Sequence, residues 1–135
     1  MSESKIKRPP VLVVDDSVTM RLYYRSVLEA AGFLVEEAAN GMEGHEKLLI
    51  QPIDQPFELM IVDINMPKMD GYSMLRTIRS DPALRGVPAV IVSTEADAKD
   101  AILAYEAGAN FYLVKPVAPD ELTQAARLIA GMAPS

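Results

Sequence analysis

Val11-Leu12-Val13-Val14-Asp15-Asp16 decides how this chain is read: four apolar residues, three of them β-branched, stopped by two carboxylates. The same arrangement recurs three times. Leu59-Met60-Ile61-Val62 ends in Asp63, Ala89-Val90-Ile91-Val92 in Ser93-Thr94, and Phe111-Tyr112-Leu113-Val114 in Lys115-Pro116. Short Val/Ile/Leu runs of this kind read as strands buried on both faces of a parallel sheet. In open α/β sheets, ligands bind beyond the carboxyl ends of the strands. One edge of one sheet would then hold three carboxylates, two adjacent hydroxyls and a lysine, which suits a hard cation and a phosphoryl group.

Around these runs, five apolar strands alternate with five helical patterns, as repeated βαβ units require. Met20, Tyr24, Val27, Leu28 and Ala31 fall at helical spacing after Asp16, with Gly32 as the expected C-cap. A second strand is expected over 33–38 and a second helix over 41–50. The third strand starts at Phe57 or Glu58 and ends at Asp63. The third helix runs over about 71–80 and stops before Asp81-Pro82, because the residue preceding proline disfavours the helical region. The fourth strand is read as 87–93, with Pro88 tolerated only at its start. A fourth helix is read from about Ala96 to Ala107, ending at Gly108, and a fifth strand over 110–114. The last helix opens with Pro119 and Asp120-Glu121, favourable to its dipole, and frays at Gly131.

Composition bounds the function. At 135 residues with half of them hydrophobic, the chain suits one domain burying roughly two-thirds of its unfolded surface. No apolar run approaches the ~18 residues of a membrane span, no signal-peptide pattern opens the chain, and there is no cysteine. A cytoplasmic protein is expected. The net charge is −6. Lys5, Lys7 and Arg8 against Glu3 give the first ten residues +2, leaving −8 for the rest. So acidic a body repels a phosphate backbone, and no nucleic-acid partner is expected. Residues 1–8 read as a disordered basic leader, 9–131 as the domain and 132–135 as a tail.

The strand-end groups have chemistry of their own. Carboxylates held close repel one another unless a cation neutralises them. Oxygen ligands without His or Cys select Mg²⁺ or Mn²⁺, and Mg²⁺ takes only one or two protein carboxylates. One aspartate is left free as a nucleophile that forms an aspartyl phosphate, and the lone Asp63 suits that role better than the adjacent pair. Lys115 would neutralise a phosphoryl oxygen and Ser93 would donate a hydroxyl to another. Each group also has a plainer reading. Asp15-Asp16 is a turn and helix cap, Ser93-Thr94 with Glu95 is a capping box for the fourth helix, and Lys115-Pro116 is a solvated turn.

Taken together, four motifs resemble the receiver domains of two-component response regulators, in particular the stand-alone chemotaxis type. They are Val-Val-Asp15-Asp16, Asp63-Ile-Asn65-Met-Pro67-x-Met-Asp70-Gly71, Val-Ser93-Thr94-Glu95-Ala, and Ala-Gly108-Ala-x-x-Tyr112-Leu-Val-Lys115-Pro116. The resemblance covers about residues 9–131. It implies an α/β fold, a single flavodoxin-like (βα)5 doubly wound parallel sheet of five strands in the order 2-1-3-4-5.

The resemblance also implies roles. Asp63 is the phosphoacceptor. Asp16, Asp63 and the backbone carbonyl of Asn65 ligate Mg²⁺, with Asp15 acting through a water. Ser93 is the hydroxyl that moves to bond the phosphoryl group, and Lys115 is the phosphate-contacting lysine, joined to Pro116 by a cis bond. Tyr112 is the switch aromatic that turns inward when Ser93 moves. Asn65 and Glu95 tune phosphoryl lifetime. The implied partners are a histidine kinase or histidine phosphotransfer protein as donor and a protein target, such as the flagellar motor switch, for a monomeric, non-enzymatic switch.

That target would meet the face formed by the fourth helix, fifth strand and fifth helix. Ala101 and Tyr105, one turn apart, give it an apolar stripe beside Tyr112, with Val117, Ala125 and Leu128 as candidate extensions. The connection around 49–56 is longer than the family's usual one. His45, the only histidine, reads as a surface residue. Two alternatives stand beside the switch. One is a phosphate sink or relay intermediate with the same chemistry. The other is an Mg²⁺-dependent phosphohydrolase of the haloacid-dehalogenase type, whose Asp-x-Asp pattern would need a carboxylate where Asn65 stands.

Overall fold

The computed structural model describes residues 8–64, 66 and 70–131. The leader ahead of Arg8, the tail at 132–135 and Asn65 lie outside the described residues. Elements alternate throughout: β1 Pro10–Val14, α1 Val18–Ala30, β2 Leu34–Ala38, α2 Gly41–Ile50, β3 Leu59–Asp63, α3 Gly71–Ser80, β4 Ala89–Ser93, α4 Ala98–Ala107, β5 Phe111–Val114 and α5 Pro119–Ile129. All strand pairs are parallel, in the order β2-β1-β3-β4-β5. Val11 sits opposite both Val35 and Leu59, and Ile61 opposite Val90, so the strands start and stop nearly level. The aspartates, serine and lysine that follow them therefore reach one edge.

Alternation along the central strands divides the core in two. Leu12, Val14, Met60, Val62 and Ile91 pack with Met74, Leu75 and Ile78 of α3 and Ala104 of α4. Val11, Val13, Leu59, Ile61, Val90 and Val92 pack with Tyr24 and Leu28 of α1 and Leu122 and Ala126 of α5. Every residue of β3 and β4 is buried. Such strands lack the polar face of a half-exposed sheet, which is why the sequence shows runs rather than alternation.

The boundaries differ from the sequence reading in places with local causes. β4 begins at Ala89, after Pro88. Proline has no N–H to donate, yet its carbonyl accepts from Met60 N at 2.8 Å. Helix α4 begins two residues later than expected, because Asp97 is its extended N-cap. Ser93-Thr94-Glu95 therefore stays in the loop and does not cap that helix. α1 ends with Ala31 as C-cap, and Gly32 follows at φ +101°, the left-handed position that favours glycine.

Candidate functional site

Asp15 leaves β1 in the same side-chain series as Val11 and Val13, and Asp63 ends β3 in the series of Leu59 and Ile61. The two carboxylates thus share a face of the sheet. Asp15 is 1% and Asp63 7% exposed, whereas Asp16, on the opposite side of the chain, is exposed to solvent. One carboxylate oxygen from each of the three lies within 4.8 Å of the others.

Local bonds fix this cluster. Asp15 Oδ1 accepts from Ser17 N at 2.9 Å, and Ser17 caps α1 by accepting from Met20 N at 3.2 Å. The Asp15 carbonyl accepts from Arg21 Nη1 at 2.7 Å, and that arginine is anchored to Glu37 at 2.9 Å. Glu37 also pairs with Arg25 at 2.6 Å. Hydrogen bonds from Arg25, ahead of those from Arg21, hold its carboxyl below the usual carboxylate range. Behind Asp63, Gly71 comes so close that a Cβ there would stand 2.6 Å from the Asp63 carbonyl oxygen. Its amide donates to Ile64 O at 3.0 Å. Only glycine permits that approach, and it seats the start of α3 directly behind the central aspartate.

Lys115 closes the site. Its Nζ lies 3.2 Å from Asp63 Oδ1 and 3.7 Å from Asp15 Oδ2. Its backbone amide donates to the Ser93 carbonyl at 2.7 Å, tying the ends of β4 and β5 together. The Lys115–Pro116 peptide bond is cis. Burial, and next the charge of Asp15, raise the pKa of Asp63, with Lys115 acting in the opposite sense. Beneath the cluster, burial drives the Tyr24 hydroxyl well above its ordinary value, reinforced by Asp15 and Asp63. Asp15 Oδ2 is a buried oxygen without a hydrogen bond. Packed carboxylates, an unbonded buried oxygen and a destabilised anion are what a hard cation with oxygen ligands relieves, so these residues fit Mg²⁺.

Ser93 ends β4 and is 1% exposed; its Oγ accepts from Glu95 N at 3.1 Å. Tyr112 is half-buried and donates its hydroxyl to the Glu95 carbonyl at 2.7 Å. The Glu95 side chain itself is exposed, as is Thr94. The structure thus brings Asp15, Asp16, Asp63 and Lys115 together, places Ser93 at the same sheet edge at the end of β4, and sets Tyr112 one residue beyond.

On the neighbouring face, Ala101 is half-buried and Tyr105 is 48% exposed. Ile102 and Leu103 are exposed beside them, and Leu128 stands out from α5. Val117 and Ala125 do not extend this stripe: they are 4% and 6% exposed and pack against Tyr24 and Leu122. Ala125 falls on the same helical stripe as Leu122 and Ala126, which faces the sheet. His45 is half-buried on α2. Sequence reasoning missed three residues that shape this end of the molecule. Arg21 holds the Asp15 carbonyl, Gly71 backs Asp63, and Tyr72 reaches α4. Gly71 lay within a quoted motif, but the reason for it is a contact with the backbone of Asp63 and Ile64, which only the fold brings about.

The response regulator receiver domain family matches residues 11–127. The chemotaxis protein CheY1 of Helicobacter pylori is 36% identical over 122 residues, spanning 90% of this chain and 96% of that protein. A gliding motility regulatory protein of Myxococcus xanthus is 38% identical over 109 residues, 81% of this chain but 14% of that larger protein. Among solved structures, the chemotaxis protein CheY4 of Vibrio cholerae superposes with a TM-score of 0.83 at 30% identity, covering 91% of this chain and 99% of that one. The receiver domain of a Pseudomonas aeruginosa sensor histidine kinase, with magnesium coordinated in its active-site cleft, gives 0.82 at 26% identity, covering 93% of this chain and 99% of that one. This chain belongs to the response regulator receiver domain family.

Proposed function

We propose that the chain is a phosphorylation-controlled switch in which Asp63 accepts a phosphoryl group from a phosphohistidine on a kinase or phosphotransfer protein. The observation that carries this reading is Lys115 Nζ, 3.2 Å from Asp63 Oδ1 and 3.7 Å from Asp15 Oδ2, beside a third carboxylate at one sheet edge. An Asp63 oxygen attacks phosphorus, the P–N bond breaks, and its electron pair leaves with the imidazole, which takes up a proton. Lys115 balances charge on a phosphoryl oxygen, and the Ser93 hydroxyl donates to another. In this reading Asp16, Asp63 and the Asn65 carbonyl would hold Mg²⁺, with Asp15 acting through a water. When bound, the cation draws off charge from the carboxylates and the transferring group.

The output follows from Ser93, Glu95 and Tyr112. A hydroxyl drawn toward the phosphoryl group moves the loop after β4, and Tyr112 is bonded to that loop. The face bearing Ala101, Tyr105 and Tyr112 then changes its affinity for a protein target. The names of the Helicobacter and Myxococcus relatives support a role in chemotaxis or motility; a motor-switch target and a cytoplasmic location belong to the same proposal. Among the described residues no helix is long and apolar enough to cross a membrane.

The test is incubation with a small acyl phosphate and Mg²⁺, followed by intact mass. The wild type gains one phosphoryl group, and Asp63→Asn or chelation of Mg²⁺ abolishes the gain. Incorporation by Asp63→Asn at the wild-type rate defeats the assignment.

A further inference from the structure

Helix α3 grips α4 near both of its ends. Tyr72 and Arg79 lie seven residues apart on α3, two helical turns along one face. Tyr72 Oη donates to the Asp100 carbonyl in the first turn of α4 at 3.3 Å. Arg79 Nε and Nη2 donate to the Gly108 carbonyl, the C-cap of α4, at 3.0 and 2.8 Å.

The two ends are held unequally. Arg79 also reaches the carbonyls of Arg85 and Val87 and the side chain of Asn110, which leads into β5. Gly108 takes φ +113° there, and a Cβ on it would stand 2.6 Å from Arg79 Cγ. The C-terminal end is therefore a fixed point. At the other end, Asp97 makes no side-chain capping bond. The hold on the first turn comes from Tyr72, and the hold on the preceding loop comes from Tyr112 through Glu95. Both tyrosines pack on the same core cluster, with Met66.

We propose that Tyr72 is a positioning residue for the switch, latching the first turn of α4 in the arrangement in which the Tyr112 hydroxyl is bonded to the Glu95 carbonyl. The inference rests on the switch reading above and adds its regulation: α4 pivots at Arg79 and Gly108, and Tyr72 favours one setting of its free end. Because the latch acts on a backbone carbonyl, it is indifferent to the side chains that α4 presents to a partner. In the structure the latch coexists with the Tyr112–Glu95 bond, and in the proposed switch this is the setting that a phosphoryl group selects through Ser93.

The experiment compares wild type with Tyr72→Phe, which keeps the ring and removes only the donor. Hydrogen exchange is read first, without added ligand. Amides at 99–102 should exchange about threefold faster in the variant, as expected for one neutral hydrogen bond at a half-exposed site. Those of β1 should not change. Mg²⁺ and then beryllofluoride, a phosphoryl mimic, are titrated next. The Mg²⁺ affinity should be unaltered and beryllofluoride should bind about threefold more weakly. Equal exchange at 99–102, or equal or tighter beryllofluoride binding, overturns the latch while leaving the receiver chemistry intact. Failure of the wild type itself to bind beryllofluoride with Mg²⁺ defeats the switch reading, and the latch with it.

Discussion

Ser93 and Tyr112 are joined through the two backbone ends of Glu95: its amide donates to Ser93 Oγ at 3.1 Å and its carbonyl accepts from Tyr112 Oη at 2.7 Å. A buried hydroxyl in the site and a half-buried ring on the outer face are thus one residue apart in bonding, although they sit on different strands. Displacement of the Glu95 backbone by one is felt by the other. Tyr112→Phe cuts this link without emptying the ring's place. Beryllofluoride with Mg²⁺ should still shift amides at 63, 93 and 115 in that variant. The shifts at 102–105 should fall to less than about half, the donor being worth about 1 kcal/mol. Full-size shifts on α4 would show that the signal travels by another route.

Asp63 carries a stability cost with a defined sign. Burial, and next Asp15, raise its pKa in the folded protein. A group raised on folding contributes stability that is fully present below its unfolded pKa and lost as pH rises through the folded one. Without metal, then, ionisation of Asp63 opposes folding at neutral pH. In chelator at pH 7, Asp63→Asn should melt about 3 °C higher than wild type. The gap should close toward pH 3, where the carboxyl is protonated in both states, and it should shrink or reverse in millimolar Mg²⁺, which binds only the wild type well. Melting curves across pH with and without Mg²⁺ check this. A variant that melts lower in chelator at pH 7 contradicts it.

Gly71 sets the approach of α3 to Asp63, and substitution there has no room to relax. A Cβ would meet the Asp63 carbonyl at 2.6 Å and Ile64 Cα at 3.0 Å, both backbone atoms. Gly71→Ala should cost about 2–4 kcal/mol in denaturant unfolding. Gly86 is the internal comparison, since a Cβ there meets nothing within 4 Å. Gly86→Ala should lie within about 0.5 kcal/mol of wild type. Equal effects of the two substitutions would remove the packing argument.

How much of this was legible in the sequence follows from which forces acted locally. The sheet was readable because β1, β3 and β4 are buried on both faces and their runs are nearly unbroken. The carboxylates and Lys115 were readable because a parallel sheet sends all its strand ends to one edge. The start of α4 was misread, because Thr94 and Glu95 offer a capping pattern as good as that of Asp97. The tertiary bonds of Glu95 to Ser93 and Tyr112 outweigh it. Val117 and Ala125 read as candidate extensions of the outer stripe, but a residue such as alanine carries little orientational signal, and packing with Leu122 decides its side. Tyr72, Arg79 and Arg21 act on carbonyls of other elements, and a carbonyl acceptor leaves no trace in sequence.

Lys115 separates two effects that a single deletion of the site would merge. Its ammonium lies 3.2 Å from Asp63 and 3.7 Å from Asp15, so it already supplies part of the neutralisation a cation would bring. Removing the charge while keeping the stem, as in Lys115→Met, leaves the carboxylates more strongly repelled and more hungry for a divalent ion. Mg²⁺ should then bind about three- to tenfold more tightly, the gain expected from one nearby charge in a partly exposed site. Phosphoryl transfer should move the other way. The same ammonium balances charge on the transferring group, and its loss should slow incorporation from an acyl phosphate at saturating Mg²⁺ by at least about tenfold. Metal titration and a time course by intact mass measure the two in one preparation. Weaker Mg²⁺ binding together with slower transfer would mean that Lys115 acts only by holding the site's shape. Opposite signs establish it as a charge shared between metal and phosphoryl group.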